Sequence, residues 1–83
     1  MSVDPALQAM ANKLAEDCIA VQDKIGEERL FMELGTVLGA ASQTLEEAFI
    51  TAVRTRMAER QGRAFLAGKL REFQTAQSER DTG

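Results

Sequence analysis

Histidine, tryptophan and tyrosine are missing from this 83-residue chain, and cysteine and proline occur once each. Without histidine the sequence lacks the usual general base, the group that most often activates a nucleophile, and the commonest transition-metal ligand. The lone Cys18 cannot form an intramolecular disulfide, so a reducing cytoplasm is the expected compartment. No run approaches the roughly 18 uninterrupted apolar residues that span a bilayer. Residues 1–18 hold no basic segment followed by an apolar one, so no secretory signal is read. No loop ending in Lys-Ser/Thr is present to cradle phosphate, and Gly35 to Gly39 lacks the preceding strand that a dinucleotide fingerprint needs. Adjacent carboxylates remain at Glu16/Asp17, Glu27/Glu28 and Glu46/Glu47, but neighbours on a helix diverge by about 100° and do not converge on one proton or ion. The expectation is a protein that is not an enzyme and has no cofactor or metal.

What is present is the material of packed helices. Hydrophobic residues make up 45% of the chain, aromatics only four phenylalanines, so the core must be built from Leu, Ile, Val, Met and Ala. A chain this short buries only about 60% of its unfolded surface, which makes association an expectation.

Asp4-Pro5 reads as a helix start, with Asp4 accepting from orphan amides and Pro5 in the first turn. Behind it Leu7, Met10, Ala11, Leu14, Cys18, Val21 and Ile25 recur every three or four residues, one face of a helix. Cys18 belongs to that stripe as a small buried residue. The next apolar group, Leu30, Phe31, Leu34, Val37 and Leu38, falls on nearly the opposite side of the cylinder, with Gly26 at the change of face and Glu27 and Glu28 after it. A break or sharp kink at Gly26 is the expectation. A third stripe comprises Leu45, Ala48, Phe49, Ala52, Val53 and Met57, introduced by Thr44-Leu45-Glu46-Glu47 as a capping box, with Ser42 as an alternative cap. The helical pattern continues through Leu66, Leu70 and Phe73, with Gly62 a plausible kink or stop. Beyond it the tail lacks apolar periodicity and is expected to fray. No alternating run supports a strand.

Charge is uneven. Residues 1–47 carry three bases against nine acids, a balance of −6, while residues 48–73 carry six bases against two acids, a balance of +4. The simplest reading is that acidic and basic arms lie antiparallel and flank an apolar seam, selecting register more than adding stability. Alternatives are a basic arm that binds phosphates, opposed by the acidic whole, and a cationic amphipathic segment at "GRAFLAGKLREF" for a membrane surface or a partner groove, which is the least favoured.

Gly35, Leu38, Gly39 and Leu45 occur in the order that a helix-turn-helix unit requires, and "LGAASQTL" resembles the turn of helix-turn-helix regulators. The resemblance covers some 20 residues around it. It implies a DNA reader whose second helix leads with Ser42, Gln43, Glu46 and Glu47. Two glutamates at that position repel phosphates, and no base appears until Arg54. A plain helix junction asks for the same residues.

The sequence therefore predicts an all-α domain over residues 1–76 with a flexible tail over 77–83. Its helices cover Pro5 to Ile25, Glu27 to Leu38, and Thr44 to about Phe73, with a junction at Gly39 to Gln43: a small three-helix bundle, or a kinked two-helix hairpin, completed by dimerisation. The expected function is a non-enzymatic helical interaction module, an adaptor, chaperone-like or assembly subunit. Its seam would use Leu7, Leu14, Val21, Leu34, Leu38, Leu45, Phe49, Val53 and Leu70, with a second copy or another protein as partner. The alternative is a small helix-turn-helix regulator with its turn at Gly39 to Thr44. Nucleic-acid or acidic-partner contacts would then come from Gln43, Arg54, Arg56, Arg60, Arg63, Lys69 and Arg71.

Overall fold

The computed structural model describes residues 4–82, which form three helices and no strand. Helix α1 spans Pro5–Ile25, α2 Leu30–Ala41 and α3 Gln43–Thr82. The all-α class and the three-helix bundle expected from the sequence are observed. The first three residues of the expected domain and the last of the expected tail lie outside the described residues.

The ends of α1 follow from backbone chemistry. Asp4 accepts a hydrogen bond from the Ala6 N–H at 3.0 Å, and Pro5 occupies the first turn. Gly26 closes the helix at φ 74° and ψ 24°, the left-handed region that a residue without Cβ enters at little cost. The N–H groups of Gly26 and Glu27 both donate to the Gln22 carbonyl, at 2.9 and 3.2 Å. Gly26 is thus a stop, and the two-helix alternative gives way to three helices.

Glu27 and Glu28, expected in the first turn of the second helix, lie in the connecting turn instead, because α2 begins only at Leu30. Arg29, just before α2, makes no side-chain cap. The buried Gln22 supplies it from α1: its Oε1 accepts the Phe31 N–H at 2.8 Å.

The expected five-residue junction contracts to one residue, Ser42, and Gly39, Ala40 and Ala41 remain helical. Ser42 has extended backbone angles (φ −157°, ψ 107°) and serves both helices. Its N–H donates to the Leu38 carbonyl at 2.7 Å, its carbonyl accepts from the Glu46 N–H at 3.0 Å, and its Oγ accepts from the Leu45 N–H at 3.1 Å. Ser42, the alternative reading, is the cap; Thr44, the favoured one, sits inside α3.

α3 is continuous through Gly62 and Gly68, neither of which has a positive φ, and reaches Thr82. The Cα extent of 63 Å along the long axis matches the ~60 Å that 40 residues span at 1.5 Å per residue. The residues flanking the two glycines are strong helix formers, Ala, Leu, Arg, Lys and Gln. The pairs Glu59–Arg63 and Lys69–Glu72 brace the same stretch one turn apart. Lack of apolar periodicity beyond Phe73 removes a buried face, not the propensity to be helical.

Helix directions follow from the contacts. Gly39 lies against Glu46 and Gly35 against Ile50, so α2 and α3 form an antiparallel hairpin. Leu7 lines a surface with Thr44 and Ala48, Glu16 meets Arg56, and Asp23 meets Arg60, so α1 runs parallel to α3. The antiparallel acidic and basic arms expected from the sequence are therefore parallel: α2 reverses the chain once and α3 reverses it again. Charge pairing itself survives the change of direction.

The core comprises Ala11, Ala15, Cys18 and Ile19 of α1 with Phe49, Ala52 and Val53 of α3, and Gly35 is the buried residue of α2. Leu14, Phe31, Leu34, Leu38, Leu45 and Ile50 close around them. At Gly35 an added Cβ would stand 2.9 Å from the Ile50 Cδ1, so α2 packs directly against the Ile50 side chain here, and a larger residue would have to displace the end of that side chain.

Candidate interaction surface

Met57 is the last residue of α3 packed against the core and Arg60 still meets Asp23 of α1; beyond Gln61 the helix runs on as an arm with no other helix beside it among the described residues. Leu66, Leu70 and Phe73 repeat at i, i+4 and i+7 and form one face, with Phe65 on its flank. These four side chains expose between 57% and 66% of their surface. At 100° per residue the face lies well over a quarter turn from the Phe49–Val53 face, so it does not continue the core stripe. The Lys69 ammonium lies 5.8 Å from the Phe65 ring centroid, within cation–π range.

A second apolar surface lies between α1 and α2. Leu14, Cys18 and Val21 form one wall of an open groove, Leu30, Leu34 and Val37 the other, and Asp17 and Glu33 are its only charged lining residues. Here the stripe read from Leu7 to Ile25 divides. Ala11 and Cys18 turn toward the core, whereas Met10, Val21 and Ile25 are exposed. The centre of that stripe is the groove wall, and the deeper face, completed by Ala15, Ile19 and Gln22, lies to one side of it. Gln22 escapes sequence reasoning because it is polar; the spacing Ala11, Ala15, Cys18, Gln22 is the signal that could have found it.

The expected seam residues are thus distributed over different surfaces. Phe49 and Val53 are fully buried, Leu14, Leu34, Leu38 and Leu45 pack around them, and Leu7 is half-buried beside the start of α3. Val21 and Leu70 are exposed.

Most of the basic residues are engaged. Arg60 holds Asp23 through two hydrogen bonds, at 2.8 and 3.2 Å, and Arg56 reaches Glu16 at 3.5 Å. Arg63 pairs with Glu59 and Lys69 with Glu72. Arg54 and Arg71 have no ion pair among the described residues and stand about 25 Å apart along the helix at 1.5 Å per residue. The Arg60 hydrogen bonds hold the Asp23 carboxyl below the ordinary aspartate range and raise Arg60 in turn. Burial pushes the Cys18 thiol up, so the less reactive thiol form prevails.

Gln43 is exposed at the start of α3, while the Glu46 carboxylate lies over Gly39 of α2. A hairpin joined by one residue differs from the 90–120° crossing, joined by three or four residues, of a DNA-reading helix-turn-helix. Among the described residues no cluster of acids and cysteine is placed to hold a metal ion, and no helix is long and apolar enough to cross a membrane. Comparisons with protein-family models, with curated proteins and with solved structures give no significant match to this chain.

Proposed function

We propose that the protein is a non-enzymatic helix-packing interaction module whose contact element is the arm of α3. The observation that carries this reading is the face of Leu66, Leu70 and Phe73, together with Phe65, on a stretch of helix that no other described residue covers. Isolated helices are marginal in water, and most helical stability in proteins comes from packing an apolar face. A partner helix or groove would supply that packing here. The DNA-reading alternative draws less support, because the α2–α3 hairpin turns Glu46 inward and two pairs tie Arg56 and Arg60 to α1.

Sedimentation equilibrium tests the proposal on the intact chain. The expected result is a mass above that of one 9.1 kDa chain that falls toward the monomer in Leu66→Asp and Phe73→Asp, with helicity retained because neither residue touches the core. A monomeric wild type whose mass and arm amide exchange are indifferent to both substitutions overturns it. DNA binding with a steep salt dependence, lost in Arg54→Glu/Arg71→Glu, would establish the alternative.

A further inference from the structure

Two unpartnered apolar surfaces on one chain invite the question whether they fit each other. In length they do. Leu66 to Phe73 on the arm, Leu14 to Val21 on α1 and Leu30 to Val37 on α2 are each seven residues apart, about 10.5 Å at the helical rise. Their charges are also opposite. Both charged residues lining the groove, Asp17 (held by Lys13) and Glu33, are acids on two helices of net negative charge, whereas residues 62–73 of the arm carry Arg63, Lys69 and Arg71 against Glu72.

The arm cannot reach the groove of its own chain. α3 is unbroken through Gly62 and Gly68, and Leu66 lies about 13 Å along the axis past Met57. The groove it can reach belongs to another molecule. We infer that the arm of one copy lies in the α1–α2 groove of a second copy, reciprocally about a two-fold axis.

This rests on the helix-packing reading and names its partner. Each body then gains a fourth helix, and one set of residues builds two identical contacts, as two-fold symmetry requires. Lys69, paired with Glu72 in the single chain, then lies against Glu33, which fixes the register of the arm.

Photocrosslinking on the full-length chain tests the inference. Leu66 is replaced by p-benzoylphenylalanine, which keeps an apolar group on the arm and outside the core. Labelled (15N) and unlabelled chains are mixed before irradiation, so that mass spectrometry separates crosslinks between copies from those within one. The expected products join the arm of one copy to residues 14–21 or 30–37 of the other. A Glu33→Lys substitution should weaken the dimer by tenfold or more, and Lys69→Glu in the same chain should restore a substantial part of the loss. Crosslinks from arm to arm overturn the inference and leave the helix-packing reading standing. A monomer that gives no crosslink between copies overturns the inference, and arm substitutions without effect on that monomer overturn the reading too.

Discussion

Phe49 and Val53 are sealed between α1 and α2, whereas Leu66 and Phe73, further along the same helix, stand in solvent. Residues 43–57 and 58–82 share one backbone ladder and differ in what surrounds them. The first segment is helical and packed: its stripe faces two other helices, and small residues opposite it, Ala11, Ala15 and Gly35, let the axes approach. The second, apart from the Arg60–Asp23 pair near its start, is helical without packing, on the propensities of Ala, Leu, Arg, Lys and Gln and on local ion pairs. Helix formation and burial are thus separate properties of a sequence. Only the second needs a partner.

The sharpest way to break this comparison is to truncate one phenylalanine on each side of it. Phe49→Ala leaves a cavity in a fully enclosed site and should cost about 3–5 kcal/mol, a large share of the stability of so small a domain. Phe73→Ala removes the same atoms from a solvated face. Below the concentration at which chains associate, it should move the folding free energy by less than about 0.5 kcal/mol. Urea unfolding followed by helicity measures both. Equal losses would mean that the arm folds back onto the body.

The sequence made the punctuation legible wherever one residue carries its own signal. Asp4-Pro5 and Gly26 act through their own side chain, ring or missing Cβ, and the structure places them as the sequence implies. The three apolar stripes were also readable, because periodicity reports which residues could be buried. Which part of a stripe is buried depends on where the neighbouring helix lies, and that is not local. The α1 stripe was therefore centred on the groove, and Val21 and Leu70 entered a seam with Phe49 although both are exposed. Helix direction is hidden for the same reason: the partners in Glu16–Arg56 and Asp23–Arg60 are separated by two chain reversals that charge counting does not register. Gly62 suggests a kink or stop through an average cost of about 1 kcal/mol, which its helix-forming neighbours outweigh.

Gln22 marks where the packed side of the comparison depends on a polar atom. Its Oε1 caps α2 through the Phe31 N–H, and Cys18 Sγ lies 3.9 Å from the same oxygen. Gln22→Leu keeps the bulk and removes the acceptor. It should destabilise the fold by about 1–3 kcal/mol, the cost of leaving a partly buried N–H unsatisfied. Faster amide exchange at the start of α2 would localise the loss. If exchange rises uniformly across the chain, the cap is not its source.

A smaller effect distinguishes the two candidate caps of α3. Ser42→Ala removes the oxygen that accepts from Leu45 and should cost about 1 kcal/mol. Thr44→Ala, inside the first turn, should stay within about 0.5 kcal/mol of wild type. Paired thermal melts at one concentration compare them. A larger loss from Thr44→Ala would restore the capping box that the sequence favoured.

The smallest effect should come from the exposed Asp23–Arg60 pair, which joins the acidic α1 to the last turns of α3 before the arm is alone. Hydrogen bonding from Arg60 lowers the folded pKa of Asp23 below its unfolded value, so the folded state binds fewer protons in that range. Its stabilising contribution is present above the ordinary aspartate pKa and disappears as pH falls through the lowered folded value. Wild type should therefore lose its advantage over Asp23→Asn as the solution is taken from neutral pH to below that value. Salt should shrink the difference even at neutral pH, because both partners are solvated. Thermal midpoints of the two chains across pH, at low and high salt, measure this. An advantage that survives acidification would show that Asp23 acts through something other than its charge, leaving Glu16–Arg56 as the ion pair between α1 and α3.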